Sequence, residues 1–253
     1  MDVVDLQTAL GAPGLRVLVT AGAPSPWSQA ALAILHFKKV PFLLVRTRAT
    51  DPAFREWKGA VNLPAVLFND DPVRTGWAEI LALAERLAPE ARLVPADATE
   101  RVRVLGLSHE LMSEGAMLWC ARLLAIEAGL ATEGREGFPL QAARYLAPRY
   151  GSGTVPVQQL RDRAAEILSH LAAELERSSG PCFCGDTLSA LDLYSAVAMN
   201  ALVPLPDNLC PMAPPMRDAF EWMGKQLAGA IPPALLAHRD YVVSRHFDLP
   251  IDL

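Results

Sequence analysis

What the sequence lacks narrows its function first. It has no basic excess: 23 Lys and Arg stand against 28 Asp and Glu, a net charge of −5, with the cations scattered along the chain. A nucleic-acid partner is therefore not expected. No apolar run approaches the ~18 residues needed to cross a bilayer, and Met1-Asp-Val-Val-Asp5 lacks the basic start of a secretion signal. No membrane association is expected, and the expected location is cytoplasmic. Cysteine is scarce, at four residues (Cys120, Cys182, Cys184 and Cys210), which are expected as thiols in that compartment. Cys182-Phe-Cys184 has the wrong spacing for a C-x-x-C pair or a zinc knuckle, and no histidine lies close in sequence, so no metal is expected. Repeats and low-complexity segments are absent as well.

What is present reads as an ordinary globular chain, 51% hydrophobic and 20% charged, long enough at 253 residues for two domains. Its organising stretch is Leu15 to Ser28. Leu15, Val17 and Val19 alternate with Arg16, Leu18 and Thr20, as in a strand. Ala21-Gly-Ala-Pro-Ser-Pro26 then breaks regular structure, and Trp27, Ala31, Ile34 and Leu35 fall on one face of a helix. Ser25 stands at the N-cap with Pro26 at the first helical position, where a missing N–H costs nothing. A hydroxyl at the positive end of a helix is placed to stabilise an anion, a thiolate included. Ser25 as a plain cap is the alternative, and Ser28, three positions on, is a second hydroxyl of the same turn.

Phe42-Leu-Leu-Val45 follows as a strand, Asp51 to Trp57 as a short capped helix, and Val61-Asn-Leu-Pro64-Ala-Val-Leu-Phe68 as a strand ending at Asn69-Asp-Asp-Pro72. A second short strand near Val73 completes a hairpin, and Gly76 to Ala88 is helical through Ile80, Leu83, Ala84 and Leu87. This order gives an α/β domain over residues 15–88, preceded by an extension over 1–14 and followed by a linker over 89–98, rich in Pro and Ala. Residues 99–253 read as all helix. Asp97-Ala-Thr-Glu100 opens a long helix reaching about Ala128, where Gly129 stops it. Gly134 to Gly153 reads as a loop or broken helix, and Val155 to Arg177 as an amphipathic helix. Ser189-Ala-Leu-Asp192 caps another helix, and Pro214 to Leu227 gives the last.

An α/β unit followed by helices, with these landmarks, resembles the cytosolic glutathione transferase family from about Leu15 to about Leu235. Ser25-Pro-Trp27 resembles the Ser-Pro-aromatic or Cys-Pro-aromatic turn whose Ser or Cys faces the glutathione sulfur in that family. Leu63-Pro64 resembles the family's cis x-Pro turn, whose backbone faces the tripeptide. Leu93-Val-Pro-Ala-Asp97 is similar to its interdomain segment, and Gly185 to Asp192 resembles its second-domain capping box. The resemblance implies a thioredoxin-like N-terminal domain and an all-α C-terminal domain, and a homodimer. It implies glutathione as co-substrate, with Ser25 as the hydroxyl donor to the sulfur and Trp27, Leu63, Pro64, Thr75, Gly76 and Trp77 around the tripeptide.

One departure stands out. Where the family usually carries an acidic residue followed by Ser, this chain has Gly76-Trp77. The charge-assisted bonds that would hold the γ-glutamyl end, worth about 1.5–3 kcal/mol each, are then missing. Arg74, Thr75 and Glu79 are the candidates to replace them. Along the first C-terminal helix, Leu105, His109, Met112, Ala116 and Trp119 form a stripe. The resemblance assigns His109, Met112 and Ala116 to the pocket for a small hydrophobic electrophile. His109 with Glu110 and Glu114 is also a candidate acid or base cluster, although the spacing is not that of a His-Glu-x-x-His zinc site. Three readings follow: a transferase conjugating or adding glutathione, or a related thiol, to an electrophile; a non-catalytic binding or regulatory protein that kept the fold; and a cofactor-independent enzyme using the His109 cluster.

Overall fold

The computed structural model describes residues 2–48, 50–55, 57, 59–60 and 62–251. By packing, the chain divides into one unit of Met1–Arg92 with His246–Leu253 and a second of Leu93–Arg245.

The first unit is built on a four-stranded sheet of order β1-β3-β2-β4: β1 Asp2–Val3, β2 Leu15–Thr20, β3 Leu43–Thr47 and β4 Ala65–Phe68. β2 runs parallel to β3 and antiparallel to β4, with Leu18 opposite Ala65 and Leu15 opposite Phe68. The residues before β2, expected as an extension, hold two short elements. β1 pairs parallel with β3, and α1 (Leu6–Gly11), capped by Asp5 accepting from Thr8 N–H at 2.8 Å, puts Ala9 into the core. Both elements are too short to show a period, and β1 exists only through its pairing with β3.

One sheet face carries Leu18, Val45, Ala65 and Leu67 against Ala9, Phe54 and Trp57. The alternate residues Val17, Val19, Leu44 and Val66 point to the opposite face and are equally buried. β2 is thus a central strand, and even Arg16 is buried; its guanidinium donates to the carbonyls of Ala12, Gly14 and Asn69. α2 (Pro26–Phe37) follows β2, α3 is Pro52–Arg55, and α4 is Trp77–Leu87. In the expected helix from Asp51 and strand from Val61, Glu56 and Val61 lie outside the described residues. The strand near Val73 is a single bridge, Val66 to Arg74.

The second unit is helical: α5 Ala98–Met112, α6 Met117–Ala131, α7 Leu140–Tyr150, α8 Val157–Glu176, α9 Ala190–Leu202, α10 Pro214–Gln226 and α11 Pro233–His246. The single long helix expected from Asp97 is therefore two. α5 ends at Ser113, Gly115 adopts φ +73°, and Ala116 caps α6. Nor does Gly129 stop anything. It lies inside α6, where a Cβ would come within 2.3 Å of the Phe138 carbonyl, so glycine is there for close approach. The segment expected as loop or broken helix holds α7, which carries Pro148 within it.

Candidate functional site

The topology brings three sequence features to one end of the first unit's sheet. The turn Ala21–Ser25 leaves the C-terminal end of β2, and the antiparallel pairing of Leu18 with Ala65 places Leu63–Pro64, a cis peptide, beside that end. Arg74 pairs antiparallel with Val66, so Thr75 and Gly76 run on toward the same end and open α4.

Ser25 occupies the N-cap position of α2 with φ −55° and ψ 127°, the extended backbone that a following proline favours. It is nine-tenths buried, and its side chain accepts from no helix N–H among the described residues. The expectation that this serine simply caps the helix is therefore not met. Ser28 behaves differently: it is fully buried, and its hydroxyl has no partner among the described residues. Trp27 is half-buried in the first turn.

The backbone donors around the turn are partly in use. Leu63 N–H donates to Asn62 Oδ1 at 2.9 Å. At α4, Gly76 N–H donates to Glu79 Oε2 at 3.3 Å, so a carboxylate of the chain itself stands at this helix start. Gly76 has φ −80° and ψ 140°, and a Cβ there would meet only the movable end of Glu79, at 3.1 Å. The backbone therefore does not demand glycine, and a side chain could stand there without strain. Of the three candidate replacements for the missing acidic pair, Arg74 turns to the Asp71 carboxylate at 3.2 Å and the Pro72 carbonyl at 3.1 Å, and Asp71 also receives Arg86 at 2.5 Å. Glu79 serves Gly76. Thr75 is half-buried, and so is Trp77.

In the helical unit, Met112 and Ala116 are buried and His109 is exposed. The stripe that joined them in sequence is interrupted by the break between α5 and α6. Glu110 pairs with Arg163 of α8, which removes it from the expected cluster with His109 and Glu114. Four thiols are free. Burial pushes each of them up, Cys182 to about 12, so none is poised as a nucleophile at neutral pH. No group of side chains suited to a metal ion occurs among the described residues, and none of the described helices is long and apolar enough to cross a membrane.

Sequence reasoning missed two features of this end of the sheet: Asn62 on Leu63, and Gln29, whose side-chain Nε2 donates to the Pro24 carbonyl at 2.6 Å. Neither has a motif. A glutamine among Trp27, Ala30, Ala31 and Ile34 was the one available signal, since a buried amide needs partners.

No protein-family profile and no curated protein matches this sequence. Solved structures do match its fold. The glutathione transferase Omega 3C of Trametes versicolor superposes with a TM-score of 0.59 at 15% identity, over 95% of this chain and 89% of the other. A glutathione S-transferase of Methylobacillus flagellatus KT with glutathione bound gives 0.59 at 14% identity, over 91% and 95%. One from Methylobacterium radiotolerans, in complex with glutathione sulfonate, gives 0.59 at 17%, over 91% of each chain. The fold is that of the glutathione transferases, a thioredoxin-like α/β unit followed by a helical one, as the sequence landmarks lead one to expect.

Proposed function

We propose that this chain, on its glutathione-transferase fold, binds glutathione or a related thiol and transfers it to a small hydrophobic electrophile, with Ser25 as hydroxyl donor to the sulfur. The observation that carries the reading is that Ser25, at the N-cap of a twelve-residue helix, does not spend its side chain on the helix. A thiolate held there gains a hydrogen bond to its charged form and the field of the helix N-terminus, and both lower the thiol's pKa. The thiol proton leaves to solvent. The sulfur then bonds to the electrophilic carbon, and either a leaving group departs with its electron pair or the adduct takes up a proton. Because position 25 is serine, a mixed disulfide there is impossible, which favours conjugation or addition over thiol-dependent reduction. Trp27, Leu63, Pro64, Thr75, Gly76 and Trp77 are assigned to the tripeptide, and His109, Met112 and Ala116 to the electrophile. The working unit in this reading is a cytoplasmic homodimer; the support for that part is the family resemblance alone.

Two bonds favour a second reading, a binding or regulatory protein that has given up the tripeptide. Glu79 stands on the Gly76 N–H, where a γ-glutamyl carboxylate would be received, and Asn62 stands on the Leu63 N–H. Calorimetric titration with reduced glutathione separates the two. Binding, with a bound thiol whose pKa rises in Ser25→Ala and turnover at neutral pH that falls with it, is the expected result. No heat and no change in melting temperature at high glutathione would reject the first reading in favour of the second.

A further inference from the structure

The turn that carries Ser25 is poor in donors of its own. Pro24 and Pro26 flank the serine and neither has an N–H, so the one backbone bond inside the turn is Ser25 N–H to the Ala23 carbonyl, at 2.7 Å. Both carbonyls on either side of the Ser25 Cα end on a single residue. Gln29 N–H donates to the Ser25 carbonyl at 2.9 Å, and Gln29 Nε2 donates to the Pro24 carbonyl at 2.6 Å. These two carbonyls define the peptide planes before and after Ser25, and hence its φ and ψ. Those two angles set the direction of its Cα–Cβ bond. Gln29 is 2% exposed, so solvent does not compete for its amide. The amide's orientation is unambiguous, because a carbonyl oxygen accepts only a donor.

We infer that Gln29 is a positioning residue, a strap that holds the Ser25 hydroxyl where a ligand sulfur can meet it. This rests on the reading of Ser25 given above and adds a residue to it. The main-chain bond from Gln29 forms whatever the side chain is, since it is the first bond of the helix. The side-chain bond is the removable part. Without it the Pro24–Ser25 peptide is held only by the Ser25 N–H bond to the Ala23 carbonyl, and Ser25 samples more of the broad extended region open to any residue before proline. A released carbonyl oxygen near the sulfur would also oppose the negative charge that the hydroxyl and helix end favour.

The test needs no bound ligand. Ser25→Cys puts a titratable thiol in place of the hydroxyl, and its pKa, read from the pH dependence of iodoacetamide alkylation, reports how position 25 is held at the helix start. The native cysteines are buried or half-buried with raised pKa values, and contribute little to the rate. In this background Gln29→Met keeps side-chain length and removes the donor. The expected result is a rise of about half a pKa unit or more, roughly a threefold loss of thiolate at neutral pH. A thiol pKa unchanged by Gln29→Met, in a protein that melts cooperatively, overturns the inference. Should Gln29→Met not fold, Gln29→Asn keeps a buried amide one methylene too short to span, and the same two outcomes apply. With serine at position 25, Gln29→Met should lower kcat for thiol transfer at neutral pH, shift the pH profile upward and leave KM for glutathione within about twofold. Failure of the proposed function is a separate result: Ser25→Ala would then leave the bound thiol's pKa where it was, whatever the strap does in the Ser25→Cys protein.

Discussion

Asp192 is the residue whose loss should cost this fold most per atom removed. Its carboxylate is fully buried and receives four donors: Phe183 N–H at 2.9 Å and His238 Nε2 at 2.9 Å on one oxygen, Ser189 N–H and Ser189 Oγ at 2.7 Å each on the other. Three separate segments meet there: the loop before α9, the first turn of α9, and α11. Asp192→Ala leaves two buried backbone N–H groups unpaired, at about 1–3 kcal/mol each, and strips a buried imidazole of its partner. Together these point to about 3–5 kcal/mol, the range for breaking a buried pair from one side, against a total stability of about 5–15 kcal/mol. With a urea m-value near 2 kcal/mol per molar, the unfolding midpoint followed by helical circular dichroism should fall by roughly 2 M. Asp192→Asn should also fall, since an amide NH₂ turned toward either side is forced against a buried backbone N–H, that of Ser189 or of Phe183. A drop below about 0.5 M for the alanine variant, or an asparagine variant as stable as wild type, would refute this account of how α9 and α11 are joined.

Three further results are expected. Ser28→Ala removes a buried hydroxyl that has no partner among the described residues and should raise the unfolding free energy by roughly 1 kcal/mol; a loss of stability would mean that the hydroxyl is bonded after all. The four cysteines should react slowly with a thiol-disulfide reagent in the native protein and rapidly after denaturation, because burial raises all of them; fast labelling of the folded chain would contradict that. Burial holds His36 below its usual value of 6.5, against the pull of Asp248 at 3.1 Å. The unfolded chain then binds the proton more readily than the folded one, so this contribution is complete above the usual value and is lost as pH falls through it. His36→Gln should therefore flatten the fall of the unfolding midpoint between about pH 7 and pH 5. An unaltered slope would count against it.

Much of both units could be read from local chemistry. Alternation marked β2, Ser25-Pro26 marked the start of α2, and Ser189 with Asp192 marked α9, because each signal lies within a few neighbouring residues. The misses are those whose cause lies elsewhere in the chain. β1 exists through β3. The break after α5 is silent because the apolar stripe keeps its phase across it, and Ser113-Glu-Gly115 was its one local sign. α11 escaped because its buried face includes His238 and Arg239, which hydrophobic patterning reads as solvent-facing; one bonds Asp192 and the other the Val203 carbonyl. At the candidate site the residue types were legible but their spare bonding capacity was not. Glu79 on Gly76, Asn62 on Leu63 and Gln29 on Pro24 are matters of side-chain rotamer, on which spacing is silent.

Residues 246–251 return to the first unit. Asp248 meets His36, His246 lies edge-on to Phe37 with ring centres 5.9 Å apart, and Ile251 is buried. The helical unit is therefore an insertion within a discontinuous α/β unit. During synthesis the first 92 residues emerge well over a hundred residues ahead of the segment that completes them, so the far end of α2 stays uncovered until the whole helical unit has been made. A fragment ending at Arg92 would carry that same exposed surface permanently.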